Sequence, residues 1–540
     1  NKINWTVISM EKGDRYGDDS PIDLIESLNL YNGVWFPICY YSSGHDEGPI
    51  NWARARIINM SDVKDRDNGG LYHVTFAFDT KLDNENTALH CAPSTSDISD
   101  VFTFRGCYAA TKLLDDNESG ASFVREWAKS VYEKIYPKTT NDSRVEVIKK
   151  EWLEKNYYEK HYLNLIAFLE YFVEPNNIKL MPFEENGSET PIDVSLILDV
   201  GNSRSCGILM EEDDDHSSSL LRNPQLEIRD LNAVENVYVG TFDSKIQFQK
   251  ANFDFNYSSD ISSRLDAFVW PSLVRVGAEA KHLSANSAGN EGNTGLISPK
   301  RYLWQFDNDL NTSEKWNFNN HYYQIPVREM AKDSDRYHTS YLKLDENVSS
   351  ATYLPISRFI NSYGDALFAD TGDESKLLAN YTGKSTMTFM LMEIIMQAMM
   401  QMNSFHYRQT KANALRPRRL KAVVLTTPPS MPDLEREVFR SCAYQAIGLI
   451  WKAYGYDKTP ATEFKYIENA SSMFPKAPAV ILKWNETLTS QLVYLYNETQ
   501  KVFGGNSLDF IKHILFGILS TWNAILLNIL LARRIISTLF

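Results

Sequence analysis

Residues 1 to about 115 alternate short apolar runs with Gly, Asn and Asp turns. Within them Tyr72-His73-Val74-Thr75-Phe76-Ala77-Phe78 repeats with a period of two and predicts a strand. Between residues 120 and 174 the period lengthens: Phe123, Trp127 and Val131, then Trp152, Tyr158, Leu165, Phe168, Leu169 and Phe172, recur at helical spacing. Pro175 and the polar run Glu184-Glu185-Asn186-Gly187-Ser188-Glu189 then mark a linker. Ser195-Leu196-Ile197-Leu198-Asp199-Val200-Gly201 reads as a buried strand entering a glycine turn. Cys206-Gly207-Ile208-Leu209-Met210 is a second strand, so the two predict a hairpin. Residues 385–408 predict one long helix, with Met387, Met390, Met392, Met396, Met399, Met400 and Met402 filling a core in preference to lining a groove. Lys421 to Thr427 is a further strand, broken by Pro428-Pro429. Ser430, with Asp433 three residues on, predicts an N-cap for a helix through Ile447.

Composition bounds these elements. The chain has 540 residues; at about 150 residues per domain that implies roughly three or four units. Apolar residues are 43% and aromatics 12%, enough to fill sizeable cores and to exclude wholesale disorder. A net charge of −14 disfavours holding a polyphosphate backbone by charge, so no nucleic-acid partner is expected. The five cysteines (Cys39, Cys91, Cys107, Cys206, Cys442) form no C-x-x-C pair. They exclude a disulfide framework and zinc ribbons and fit a reducing cytoplasm. Charges at Glu11, Lys12, Asp14 and Arg15 interrupt any signal-peptide pattern in the segment given, and Asn1 in place of Met implies that the true N-terminus lies upstream. The sequon Asn186-Gly187-Ser188 carries little weight without secretion, and the acid run Glu211 to Asp215 reads as a solvated loop before a metal site.

The turn after Asp199 is the first place for chemistry. Gly201 lets a phosphate approach the backbone, and Asp199 would face magnesium through water. The Ser203 hydroxyl could assist. An ordinary hairpin is the competing reading of this motif in isolation.

The order of motifs decides between them. Asp199-Val200-Gly201-Asn202-Ser203-Arg204 resembles the first phosphate motif of the actin-like ATPase superfamily, which includes actin, DnaK-type chaperones and sugar kinases. It is followed by Trp270-Pro271-Ser272-Leu273-Val274-Arg275-Val276-Gly277, by Ser298-Pro299-Lys300-Arg301-Tyr302-Leu303, by the strand Val423 to Pro429 with its helix, and by Trp484-Asn485-Glu486-Thr487. The wording of these segments, with Gln491-Leu492-Val493-Tyr494 and the earlier Asn51-Trp52-Ala53-Arg54-Ala55-Arg56, resembles the bacterial virulence-factor family SrfB.

The resemblance implies an α/β fold. Residues 1–185 form an α+β module ending in helices, and 190–505 form a ribonuclease-H-like lobe one with a mixed five-stranded sheet, flanking helices and an insertion at about 305–384. The aromatics of that insertion (Trp304, Trp316, Tyr322, Tyr323, Tyr337) pack a small subdomain or form a partner surface. The resemblance also implies ATP and magnesium as cofactors. Gly201, Asn202, Ser203 and Arg204 would form the phosphate loop, with Asp199 as the metal-facing acid. Lys300 would lie against the terminal phosphate, and Glu486 would orient magnesium-bound water. The competing readings are a surface lysine after a proline turn and an acid at a helix N-terminus. Asn202 departs from the usual Thr or Ser, which weakens the chaperone analogy more than the superfamily assignment.

A second D-x-G-x-G-T turn, which opens lobe two in that superfamily, is not found after Glu486, and Gly504-Gly505-Asn506 lacks the preceding acid. The chain is therefore expected to be incomplete and weak or inactive towards nucleotide by itself. Residues 514–532 are uncharged, 19 in all, with Arg533-Arg534 next; about 20 are needed to span a bilayer. The tail 506–540 reads as out-of-family sequence from a truncated or shifted frame, before a buried helix or a membrane anchor. The functional expectation is a virulence-associated nucleotide-binding lobe. The alternative is a non-catalytic scaffold with a protein partner of unknown identity, and a small-molecule kinase ranks third.

Overall fold

The computed structural model describes residues 22–38, 52–60, 71–79, 122–135, 156–173, 191–211, 224–249, 270–286, 295–303, 383–409, 416–454 and 477–486, with a few isolated positions between them. The chain divides into two compact units, Asn1–Val424 with Glu437–Ile481, and Leu425–Arg436 with Leu482–Phe540.

The N-terminal region of the first unit holds helix α1 (Leu24–Leu30), strands β1 (Trp35–Pro37), β2 (Ala53–Asn59) and β3 (Tyr72–Phe78), and helices α2 (Ser122–Ile135) and α3 (Tyr157–Phe172). The strands pair antiparallel in the order β1-β2-β3. Helix α1 has only seven residues, too few for a periodic signal, and the sequence reading missed it. It starts where the Asp23 carboxylate accepts the Ile25 N–H at 3.3 Å. Aromatic side chains fill the core between sheet and helices: Tyr31, Phe36, Trp52, Trp127, Tyr132 and Tyr162 are all buried. Tyr72 meets Phe168 edge-on at 5.5 Å, tying β3 to α3. Arg56 on β2 reaches out of this region to Glu235 at 2.8 Å.

The central sheet follows. Strands β4 (Ile192–Val200), β5 (Arg204–Glu211), β8 (Phe242–Asp243), β12 (Arg418–Thr427) and β13 (Ala479–Asn485) form five neighbours in the order β13-β12-β4-β5-β8. The predicted hairpin is present: β4 and β5 pair antiparallel with Asp199 opposite Cys206 and Val200 opposite Ser205. Asp193 holds β12 beside β4 through Arg419 at 2.7 Å. Two smaller sheets lie between β5 and β12 in sequence. Strands β6 (Glu227–Arg229) and β7 (Val237–Val239) pair with each other, while β9 (Lys245–Phe248), β10 (Val274–Val276) and β11 (Gly295–Ile297) are ordered β10-β9-β11. Helices α4 (Gly277–Asn286), α5 (Gly383–Asn403), α6 (Phe405–Gln409) and α7 (Asp433–Ala453) complete an α/β architecture with a mixed sheet, as the sequence predicts at that level.

Helix α5 organises the packing. Its strong helix formers propagate it, and 18 of its 21 residues are buried, so it is a central helix. Met387, Met390, Met392, Met396, Met399 and Met402 are core, as read, while Met400 is half-buried. A polar stripe at i, i+4 and i+8 crosses this apolar cylinder. Gln397 and Gln401 act as a substitute strand along the edge of β6. Gln397 accepts from the Arg229 N–H at 2.7 Å and donates to its carbonyl at 2.9 Å. Gln401 does the same with the Glu227 N–H and the Gln225 carbonyl, both at 2.9 Å. A sheet edge that would otherwise expose unpaired backbone is thereby closed.

Two predicted boundaries move. The Met-rich helix does not run unbroken to residue 408. The Ser404 hydroxyl and amide both bond the Gln401 carbonyl, at 2.8 and 3.0 Å, which ends α5 at Asn403 before α6 begins. Ser430 is not a cap. The Pro432 carbonyl accepts the Arg436 N–H at 2.9 Å, so α7 opens at Asp433, and it continues past Ile447 to Ala453. Proline has no N–H to leave unsatisfied at a helix mouth. The tail 506–540, insertion residues 305–382, the 184–189 linker, the acid run beyond Glu211 and Gly504-Gly505 lie outside the described residues. Among the described residues, no helix is long and apolar enough to cross a membrane.

Candidate functional site

The turn joining β4 to β5 closes on itself: the Gly201 N–H donates to the Arg204 carbonyl at 3.1 Å. A Cβ at residue 201 would stand 2.4 Å from that carbonyl oxygen. The glycine is therefore required by the hairpin's own closure, whatever binds outside it.

Four successive carbonyls of this turn are tethered. The Lys300 Nζ donates to Val200 O at 2.7 Å. The Ser244 hydroxyl donates to Gly201 O at 2.7 Å, and the Ser244 amide donates to Ser203 O at 2.9 Å. The Ser298 hydroxyl donates to Asn202 O. In a trans peptide the carbonyl and the following N–H point in opposite directions. Tethering Gly201 O and Asn202 O thus turns the amides of Asn202 and Ser203 away from the tethers. Asn202, Ser203 and Arg204 are exposed. Successive amides of a turn that face the same way can accept an anion, and the Arg204 guanidinium stands beside this pair. Its Nη1 also reaches Thr241 Oγ1 at 3.4 Å.

Lys300 is brought to the turn, as Asp199 and the loop residues Gly201 to Arg204 are by position. Its side chain is only 4% exposed, and Nζ sits 5.7 Å over the Phe439 ring. Asp199 is half-buried at the end of β4. Burial first, and then the Asp199 charge, push the cross-strand Cys206 thiol up. Glu486 stands just after β13, in the second unit. Asp199 offers one carboxylate, and magnesium takes one or two protein carboxylates with phosphate oxygens and waters. That donor set fits an ion carried by a polyphosphate. Among the described residues no group of three or more His, Cys, Asp and Glu could hold a metal by itself.

The sequence reading passed over two residues of this arrangement. Ser298 was within reach of it: it precedes Pro299 and Lys300 in a quoted motif, and it takes the left-handed conformation at φ 59°. Ser244 lies between β8 and β9 with no motif around it, and nothing local marks it.

Other prominent groups are structural. Trp270 and Arg275, from the motif preceding Gly277, both bond the Glu393 carboxylate inside the core, at 2.8 Å for Trp270 Nε1 and 2.9 Å for Arg275 Nη2. Ser27 and His161 share a hydrogen bond at 2.9 Å, and Asn164 Nδ2 donates to the Ser27 hydroxyl at 2.9 Å. Ser27 and His161 are 0% exposed, so this Ser–His pair is sealed from any substrate. Glu279 accepts the Leu231 and Asn232 amides at 3.1 and 2.9 Å, and burial raises its carboxyl pKa.

No curated protein matches the chain. The family model described as Virulence factor SrfB matches residues 6–516, which includes the N-terminal region, the tethered turn and residues past the point near 505 where the likeness was expected to end. With that match over nearly its whole length, the chain belongs to the SrfB family of virulence factors.

Proposed function

We propose that this virulence-associated chain uses an actin-like, ribonuclease-H-type lobe to bind the phosphates of a nucleotide, with ATP and magnesium as the ligands. The observation that carries the reading is the tethered turn, whose four held carbonyls favour outward-facing Asn202 and Ser203 amides. The sheet order β13-β12-β4-β5-β8 supports it, because a hairpin-led meander with two later strands added beside the first is the order of that fold. On this reading Arg204 and the turn amides hold phosphate oxygens, and Asp199 orders magnesium-bound water. The cytoplasmic setting expected from cysteine usage goes with it.

Turnover is left out of the proposal for a specific reason. Lys300, the cation that would meet the terminal phosphate, is buried on the Val200 carbonyl and the Phe439 ring. The same fact favours the second reading, a non-catalytic scaffold that keeps the fold and binds a protein partner. Calorimetry separates the two. Magnesium-ATP should bind with a dissociation constant on the order of 0.1 mM, about −5.5 kcal/mol. Arg204→Ala should weaken binding about tenfold, the worth of one charge-assisted hydrogen bond. No heat and no thermal shift at saturating magnesium-ATP would leave the scaffold reading standing alone.

A further inference from the structure

We propose that Ser244 and Ser298 are positioning residues for the β4–β5 turn, acting with Lys300 as a carbonyl cradle that sets the outward direction of the Asn202 and Ser203 amides. The inference rests on the phosphate-binding reading for its purpose, but its geometry stands independently. Three side chains from two segments, both distant in sequence from the turn, converge on its consecutive carbonyls. Ser244, Ser298 and Lys300 are buried and need acceptors for their donors; aimed at successive carbonyls of one turn, they also fix which way the intervening amides point.

The cradle is itself braced. The Ser244 hydroxyl also bonds the Ser205 hydroxyl at 2.8 Å, and the Ser244 carbonyl accepts the Ser298 N–H at 2.7 Å. The two serines therefore hold each other as well as the turn. Ser298 does so from the left-handed region, at φ 59° and ψ 57°, immediately before Pro299. A non-glycine residue there is strained. A glycine would relieve that strain. It would also lose the hydroxyl that reaches Asn202 O, and Lys300 two residues on would be less firmly aimed at Val200 O. Strain kept where a hydroxyl is needed points to the hydroxyl's role.

Hydrogen exchange read by mass spectrometry on the full chain tests this. The informative amides are Gly201, bonded within the turn, and Ser244, bonded to it. Ser244→Ala and Ser298→Gly should each speed exchange in segments 199–205 and 242–246 about tenfold. The melting temperature of Ser298→Gly should hold or rise as the strain is released. Ser244→Thr, which keeps the hydroxyl, should restore slow exchange. Unchanged exchange in both deletion variants overturns the cradle. So does a loss confined to global unfolding, with the melting temperature falling in Ser298→Gly.

A parallel titration with magnesium and inorganic pyrophosphate keeps the two ideas apart. Variants that loosen the turn should weaken pyrophosphate at least fivefold. If wild type binds no pyrophosphate while the exchange pattern appears as expected, the cradle stands and the phosphate reading falls.

Discussion

Replacing Glu393 by Met strips the charge from a fully buried ion pair of the first unit and leaves its neighbours in place. Arg275 and Glu393 are both 0% exposed and meet through two parallel bonds, Nη1 to Oε1 at 3.0 Å and Nη2 to Oε2 at 2.9 Å. Each carboxylate oxygen has a second donor: Gln397 Nε2 at 3.0 Å on Oε1 and Trp270 Nε1 at 2.8 Å on Oε2. The guanidinium is also bonded to the Gln249 and Ser272 carbonyls, at 3.1 and 3.3 Å. With the carboxylate gone, these two carbonyls cannot neutralise the buried charge, and the nearby Glu279 carboxylate offsets it only in part. Breaking such a pair from one side costs about 3–5 kcal/mol. Orphaning the indole N–H costs about 1–3 kcal/mol more taken alone. The two losses share one carboxylate and do not add, so Glu393→Met is expected to cost about 4 kcal/mol. That is a large share of a typical stability of about 5–15 kcal/mol.

A double-mutant cycle turns this into a sharp test. Methionine suits the site, being helix-forming and close in volume, with methionines around it on α5. Arg275→Met with Glu393→Met removes both charges and should be at least about 2 kcal/mol more stable than the sum of the single changes predicts. Urea unfolding followed by far-ultraviolet circular dichroism and tryptophan fluorescence gives the midpoints. A single-variant cost under about 1 kcal/mol, or additive singles, would refute the claim that this pair is buried, bonded and poorly compensated without its partner.

Two further outcomes follow from the same coordinates. Gly201→Ala should destabilise the β4–β5 hairpin by about 1–3 kcal/mol, since the new Cβ meets a backbone carbonyl and no side chain can swing aside; equal urea midpoints for variant and wild type would contradict the closure argument. His161 should make folding weaken in mild acid: burial holds its imidazole pKa down to about 4 against an unfolded value near 6.5, so the unfolded chain takes up the extra proton first. Its contribution is complete above pH 6.5 and falls by about 2 kcal/mol by pH 5. Buried Asp230 and Glu279 carboxyls, raised by desolvation, act in the opposite sense, so the comparison is with His161→Gln, where an identical pH profile would remove His161 as the cause.

Local periodicity made part of this fold readable. Tyr72 to Phe78 is the strand its alternation predicts, β4 and β5 form the predicted hairpin, and the methionines of α5, Met400 apart, are buried as core. The boundaries that moved did so because backbone partners outweighed propensity: the Gln401 carbonyl captured Ser404, and the Pro432 carbonyl captured Arg436. The polar stripe of α5 was not readable at all. Glu393, Gln397 and Gln401 look like tolerated polar positions on a helix. Their partners are the edge of β6 and an arginine on β10, and nothing in the helix sequence encodes where those will lie.

The candidate site divides along the same line. The turn was legible because an acid, a glycine and small polar residues between two apolar runs announce a hairpin. The groups that orient it were not, since what they recognise is carbonyl oxygen, which every residue carries and no sequence position advertises. Lys300 shows the consequence. Its place in a motif suggests a cation for phosphate, and its ammonium donates to Val200 O beside the Phe439 ring. A lysine used in this way can still shape an anion site, but it does so through the backbone. Lys300→Met should then perturb the turn's exchange before it perturbs anything measured on a ligand, and the order of those two effects distinguishes a positioning lysine from one that touches phosphate.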